Sequence, residues 1–67
     1  MQADKVELSW DPAKHNWLIR IEVGSEVIRR HCKQSRDSDE EELRAAAHQT
    51  AIDEGYDVDP SRIAVIR

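Results

Sequence analysis

The residue types that could do chemistry in this chain are mainly basic, and they occur in its first half. The candidate set for binding a nucleic acid is Lys14, Arg20, Arg29, Lys33 and Arg36. Lysine and arginine side chains bind phosphate groups, and arginine does so with paired hydrogen bonds. Because the whole chain has a net charge of −4, it lacks the overall basic character that is usual for nucleic-acid binders.

The charges are unevenly distributed along the chain. Residues 14–36 have a net charge of +4, whereas residues 37–60 have a net charge of −8. Such separation indicates two surfaces with different partners. The acids at positions 39–42 are expected to stabilise the start of a helix through its dipole. A docking surface for a basic partner is the alternative interpretation of the same cluster.

The histidines and the single cysteine do not form a recognisable reactive group. Zinc sites use ligand pairs at short fixed spacings, and His15, His31, Cys32 and His48 do not provide them. Cys32 is expected to face the core, where a thiol is inert. With no Ser-His-Asp arrangement and no glycine-rich phosphate loop, we expect a protein that is not an enzyme and that has no metal, no cofactor and no small-molecule substrate.

Two hairpins are predicted from alternating apolar residues. The alternation covers residues 5–10 and 17–23, and the turn between these segments contains Pro12. Gly24-Ser25 then predicts a type II′ turn before a third strand. We expect Trp10 opposite Trp17 in the first hairpin and Trp17 opposite Cys32 in the second.

These two registers agree on one apolar face. The residues predicted to share it are Val6, Leu8, Trp10, Trp17, Ile19, Ile21, Val23, Ile28 and Cys32. The other face pairs Glu7 with Arg20 and places Arg20 beside Arg29, a like-charge contact that suggests an anion site. Arg30 is the exception, because its position in the strand assigns it to the apolar face.

A helix and a short strand complete the predicted fold. We expect Ser38 to cap a helix that runs to about Glu54 and ends at Gly55. Residues 63–66 are predicted to form a fourth strand. The predicted fold is therefore a small single α+β domain over residues 1–67, ordered β-β-β-α-β. It has an antiparallel three-stranded sheet plus a fourth strand, and one helix packed on one face. The sequence does not decide which edge of the sheet the fourth strand joins.

Residues 9–51 resemble the AP2-type DNA-binding domain. The likeness rests on the Ser9-Trp10-Asp11 turn, on residues 17–24 (WLIRIEVG) and on residues 39–47 (DEEELRAAA). The resemblance implies a three-stranded sheet that enters the DNA major groove with a helix behind it. It also implies DNA contacts by Trp10, Trp17, Arg20 and Arg29. The chain departs from the family after the third strand, where Lys33-Gln34-Ser35 replaces a glycine and an aromatic residue, and in its fourth strand.

Two functions fit these observations. The first is a small interaction or regulatory module that binds an unidentified protein or forms a homodimer, since an exposed strand over residues 63–66 favours strand addition. The alternative is a nucleic-acid-binding module that uses the basic face of the sheet. The lone cysteine and the absence of a signal peptide or an apolar membrane span predict a cytoplasmic protein without a membrane partner.

Overall fold

The computed structural model describes residues 2–66 as a sheet with a helix on one face. The elements are β1 (Lys5–Asp11), β2 (Asn16–Val23), β3 (Glu26–Cys32), α1 (Glu40–Asp53), a 3₁₀ turn (Pro60–Arg62) and β4 (Ile63–Ile66). The four strands form one mixed sheet in the order β3-β2-β1-β4. The predicted β-β-β-α-β fold is confirmed, and the fourth strand joins the edge of β1.

Both antiparallel registers are as predicted. Trp10 lies opposite Trp17 in the β1–β2 pair, and Trp17 lies opposite Cys32 in the β2–β3 pair. At the second turn, Gly24 has a φ of +59° while Ser25 does not have a positive φ, as in a type II′ turn. At the first turn, Asp11 Oδ1 accepts hydrogen bonds from the amides of Ala13 (3.1 Å) and Lys14 (3.3 Å).

The core lies between α1 and the predicted apolar face of the sheet. Its fully buried large side chains are Val6, Leu8, Trp17, Ile19, Ile21 and Leu43. Ala47 and Ala51 are the buried small residues of α1, and their size lets the helix lie close to the strands. Trp10, Val23, Ile28 and Cys32 pack against this core and are only partly buried.

β4 returns to the sheet parallel to β1. The pairs Val6–Ile63 and Leu8–Val65 place the inward side chains of β4 on the helix side. The chain turns into β4 at Asp59, whose Oδ1 accepts hydrogen bonds from the amide and the hydroxyl of Ser61, both at 2.9 Å. These hydrogen bonds lower the pKa of the exposed Asp59 carboxyl, because they favour its ionised form.

The prediction that Ser38 caps the helix is wrong by one residue. Asp39 is the N-cap, and its Oδ1 accepts a 2.9 Å hydrogen bond from the amide of Glu42. Ser38 is instead buried, with its amide donating to the carbonyl of Ser35 at 3.1 Å. Serine and aspartate both cap helices well, so the local sequence does not distinguish Ser38 from Asp39. In the structure the two differ, because Ser38 is buried and Asp39 accepts the capping hydrogen bond.

The predicted helix end is confirmed at Gly55, which has a φ of +92°. The amide of Gly55 donates to the carbonyl of Ile52, and the amide of Tyr56 donates to the carbonyl of Ala51, each at 2.9 Å. This pair of bonds is the Schellman motif, in which a left-handed residue, usually glycine, ends a helix.

We predict that Asp39→Ala lowers the free energy of unfolding by about 0.5–2 kcal/mol, because the amide of Glu42 loses its acceptor. Urea unfolding followed by circular dichroism measures the change. Asp37→Ala is the control, since it removes the same charge from the same loop without removing the cap. Equal losses in the two variants would show that charge, rather than capping, stabilises this helix start.

Candidate functional site

The face of the sheet opposite α1 is not covered by any element of residues 2–66, and we call it the open face. The outward side chains on it belong to Lys5, Glu7, Ser9, Asp11, Asn16, Leu18, Arg20, Glu22, Val27, Arg29, His31, Ala64 and Ile66. Across its middle, Arg29, Arg20 and Glu7 are directly aligned on β3, β2 and β1. The predicted like-charge contact is therefore part of a row that ends in a carboxylate.

Ion pairs balance much of the charge on the open face. Glu7 Oε1 lies 3.5 Å from an Arg20 guanidinium nitrogen and 3.7 Å from Lys5 Nζ. Lys5 Nζ also lies 3.6 Å from Glu22 Oε2. Within residues 2–66, no carboxylate lies at ion-pair distance from Arg29. Arg29 is consequently the cation of this row that is most available to an external anion.

The five basic residues of the candidate nucleic-acid set do not converge. Arg20 and Arg29 lie on the open face, near the middle of the sheet. Lys14 lies in the β1–β2 loop, and Lys33 and Arg36 follow β3 at that same end of the sheet. The guanidinium carbon of Arg36 lies 5.9 Å from the centroid of the Trp10 ring. Because Trp10 packs against the core, Arg36 is on the helix side of the sheet and is separated from the open face.

The two tryptophans also lie on the helix side. Trp17 is 1% exposed, and Trp10 packs against it with a centroid distance of 5.5 Å and an interplanar angle of 74°. Trp17 is therefore buried on the helix side of the sheet, whereas the AP2 resemblance implies a DNA contact for it. Of the residues implied by that resemblance, only Arg20 and Arg29 are on the open face.

The two edges of the sheet differ in their side chains. On β3, Arg29 points to the open face, while Arg30 lies on the helix side and reaches Glu54 Oε1 at 2.6 Å. Sequence reasoning assigned Arg30 to the apolar face but did not identify Glu54 as its partner. On the other edge, the four residues of β4 have no charged side chain, and Ile66 is 48% exposed.

A pocket of about 260 Å³ lies beside the tryptophan pair, lined by Trp10, Trp17, Arg36 and Asp37. Sequence reasoning missed it because its walls come from the irregular loop between β3 and α1. A 3.0 Å hydrogen bond from Trp17 Nε1 to the carbonyl of Ser35 holds this loop in position. The predicted pairing of the two tryptophans indicated the aromatic floor, but no signal in the sequence indicated the loop conformation.

Among residues 2–66, no three or more His, Cys, Asp or Glu residues group in a way that could hold a metal ion. Over the same residues, no helix has the length and apolar character needed to cross a membrane. No protein-family model, curated protein or solved structure matches this chain.

We predict that Glu7→Gln lowers the free energy of unfolding by about 0.2–1 kcal/mol, because Arg20 and Lys5 lose a counter-charge. Arg29→Gln is expected to raise the free energy of unfolding, since it removes a like charge directly opposite Arg20. Urea unfolding at low and high salt measures both, and both effects should shrink as salt screens the charges. Destabilisation by Arg29→Gln at low salt would contradict the charge balance described for this row.

Proposed function

We propose that this protein is a small non-catalytic interaction module that forms a homodimer through the outer edge of β4. The observation that carries the proposal is the difference between the two edges of the sheet. β4 has no charged residue over Ile63–Ile66, whereas β3 has Arg29 and Arg30 on opposite faces. Its single cysteine, Cys32, fits a cytoplasmic, reducing location.

Edge strands present unpaired peptide groups, and proteins commonly protect them with charged side chains that also point inward. Arg30 fits that description, because it lies on the helix side of β3 and forms an ion pair with Glu54. An added strand on β3 would meet this pair. β4 has no equivalent protection within the strand, and its exposed Ile66 favours an apolar neighbour.

A second copy of β4 fits this edge by symmetry. A two-fold axis perpendicular to the sheet makes the two β4 strands antiparallel and keeps both helices on the same side. Residues that lie opposite each other must then belong to the same face. Pairing centred on Val65 brings the half-buried Val65 against its own copy. On the open face, the same register brings Ala64 against Ile66 of the second copy, which covers the exposed isoleucine.

The expected dimer is weak. A four-residue strand offers a small interface, and interfaces that bury less than about 1,200 Å² belong to transient complexes. A dissociation constant between about 10 µM and about 1 mM corresponds to a binding free energy of about −7 to −4 kcal/mol. Apolar contacts and backbone hydrogen bonds should make this association nearly insensitive to salt.

We predict that the molar mass measured by analytical ultracentrifugation rises towards that of a dimer with increasing protein concentration. Ile66→Lys should hold the protein monomeric over the same range, because each dimer would contain the added charge twice. The matched control is Val27→Lys, which places the same charge on an exposed residue of the open face at the β3 edge.

In the wild-type protein, concentration-dependent amide shifts in NMR spectra should centre on Ile63–Ile66. Monomeric behaviour of the wild type at every concentration would overturn the proposal. Equal loss of dimer in Val27→Lys would also overturn the proposal, because it would show that the effect of the added charge is not specific to β4.

A nucleic-acid-binding module is the second candidate, and the Arg20–Arg29 contact favours it. Two arginines directly opposite each other on an uncovered face cost stability, which a bound phosphate would relieve. Glu7 weakens this candidate, because it already pairs with Arg20 at 3.5 Å. Binding would therefore depend mainly on Arg29.

For this candidate, we predict that fluorescence anisotropy of a labelled mixed-sequence DNA duplex detects binding at about 50 mM salt and binding about three- to fourfold weaker at about 200 mM, because one neutralised phosphate gives a log–log salt slope of about −0.9. Arg29→Gln should weaken binding and lower the salt slope by about 0.9. Arg30→Gln is the control, since it removes the adjacent charge from the other face. No binding at the lower salt, or equal losses in both variants, would reject the open face as a duplex-binding surface.

A further inference from the structure

The pocket beside Trp10 has a fixed framework. Trp17 Nε1 donates to the carbonyl of Ser35 at 3.0 Å, and the amide of Ser38 donates to that same carbonyl at 3.1 Å. The amide of Asp37 donates to the Ser35 hydroxyl at 3.2 Å. Since Trp17 and Ser38 are both buried, the loop that forms the pocket wall is anchored to the core. A binding group would meet walls that are already in position.

The chemistry of the pocket is that of a cation site. Trp10 is only partly buried, and a guanidinium from the protein itself, that of Arg36, lies 5.9 Å from the centre of its ring. The face of an indole attracts cations through its quadrupole, most strongly when the site excludes water. Asp37 adds a carboxylate to the lining. The internal guanidinium therefore marks the position that an external cation would take.

The size of the pocket limits what can enter it. At about 260 Å³, it lies below the range of about 300–1,000 Å³ that holds drug-sized ligands and cofactors. One side chain or one small organic ion fits this space better than a nucleotide does. The lining holds one cation, Arg36, and one carboxylate, Asp37, so a positive ligand that displaces Arg36 leaves the charge balance of the site unchanged.

We propose that this pocket binds a guanidinium or alkylammonium group, which displaces Arg36 from the ring of Trp10 and pairs with Asp37. Arg36 is then an internal competitor that occupies the site when no ligand is bound. Two sources supply this chemistry, a basic side chain of another protein and a free organic cation. The proposal is independent of the β4 dimer, because none of the four lining residues belongs to β4.

The test is an NMR titration of the isotope-labelled protein, followed at the indole N–H of Trp10 and the backbone amide of Asp37. The probes are choline chloride and the peptide acetyl-Gly-Arg-Gly-amide, with sodium chloride at equal ionic strength as the reference. Both probes should give saturable shifts that the salt does not give. Tighter binding of choline would identify a free cation as the ligand, and tighter binding of the peptide would identify a side chain.

Two variants are expected to change the affinity for the probes in opposite directions. Arg36→Ala should strengthen binding about two- to fivefold, the effect of removing one exposed cation–π competitor, whereas Asp37→Asn should weaken it. Lys33→Ala is the matched control, since it removes a positive charge from the same segment without uncovering Trp10. Dispersed spectra verify that each variant is folded.

Three results would contradict the proposal. If Arg36→Ala weakens binding of the two cationic probes, Arg36 does not compete with them for the ring of Trp10 and the proposal is wrong. Equal gains in Arg36→Ala and Lys33→Ala would reduce the effect to net charge and overturn the competitor role. An absence of saturable shifts with both probes would reject the site itself.

Discussion

The alternation of side chains along β2 is the constraint on which the rest of this structure depends. β2 is paired on both sides, with β1 and with β3, so its residues face either the helix or the open face. Trp17, Ile19 and Ile21 supply a continuous buried row. A shift of one residue in either register would bring apolar residues of a neighbouring strand to the open face and its charged residues to the core. The positions of Arg20, Glu7 and both tryptophans all follow from this single choice.

Much of this arrangement is readable from the sequence because it depends on local signals. Gly24-Ser25 defines the second turn, and the alternation before and after it defines the pairing with β3. The helix start is less readable, since Ser38 and Asp39 are both good caps and only the burial of Ser38 distinguishes them. The parallel pairing of β4 with β1 depends on contacts between residues that are distant in the sequence. The strand itself was therefore predictable, but the edge of the sheet that it joins was not.

The candidate sites divide in the same way. The Arg20–Arg29 contact follows from the strand register, and so it was predictable. The position of Arg36 over Trp10 depends on an irregular loop held by the Trp17–Ser35 hydrogen bond. Periodicity carries no information about such a loop, so sequence reasoning placed Arg36 in a phosphate-binding set. In the structure, that residue belongs to an aromatic pocket on the other side of the sheet.

The pairing of β4 with β1 has a consequence for how the chain acquires its structure. Val6 and Ile63 are neighbours in the sheet although most of the sequence lies between them, while the two hairpins join residues that are close along the chain. Closing a long loop before its contacts form is entropically unfavourable. During synthesis, which proceeds from the N-terminus, β1 therefore has one edge of unpaired peptide groups until Ile63–Ile66 have left the ribosome. Over that interval the exposed edge of β1 can pair with other chains and so promotes aggregation. β4 covers this edge only after the rest of the sheet has been synthesised.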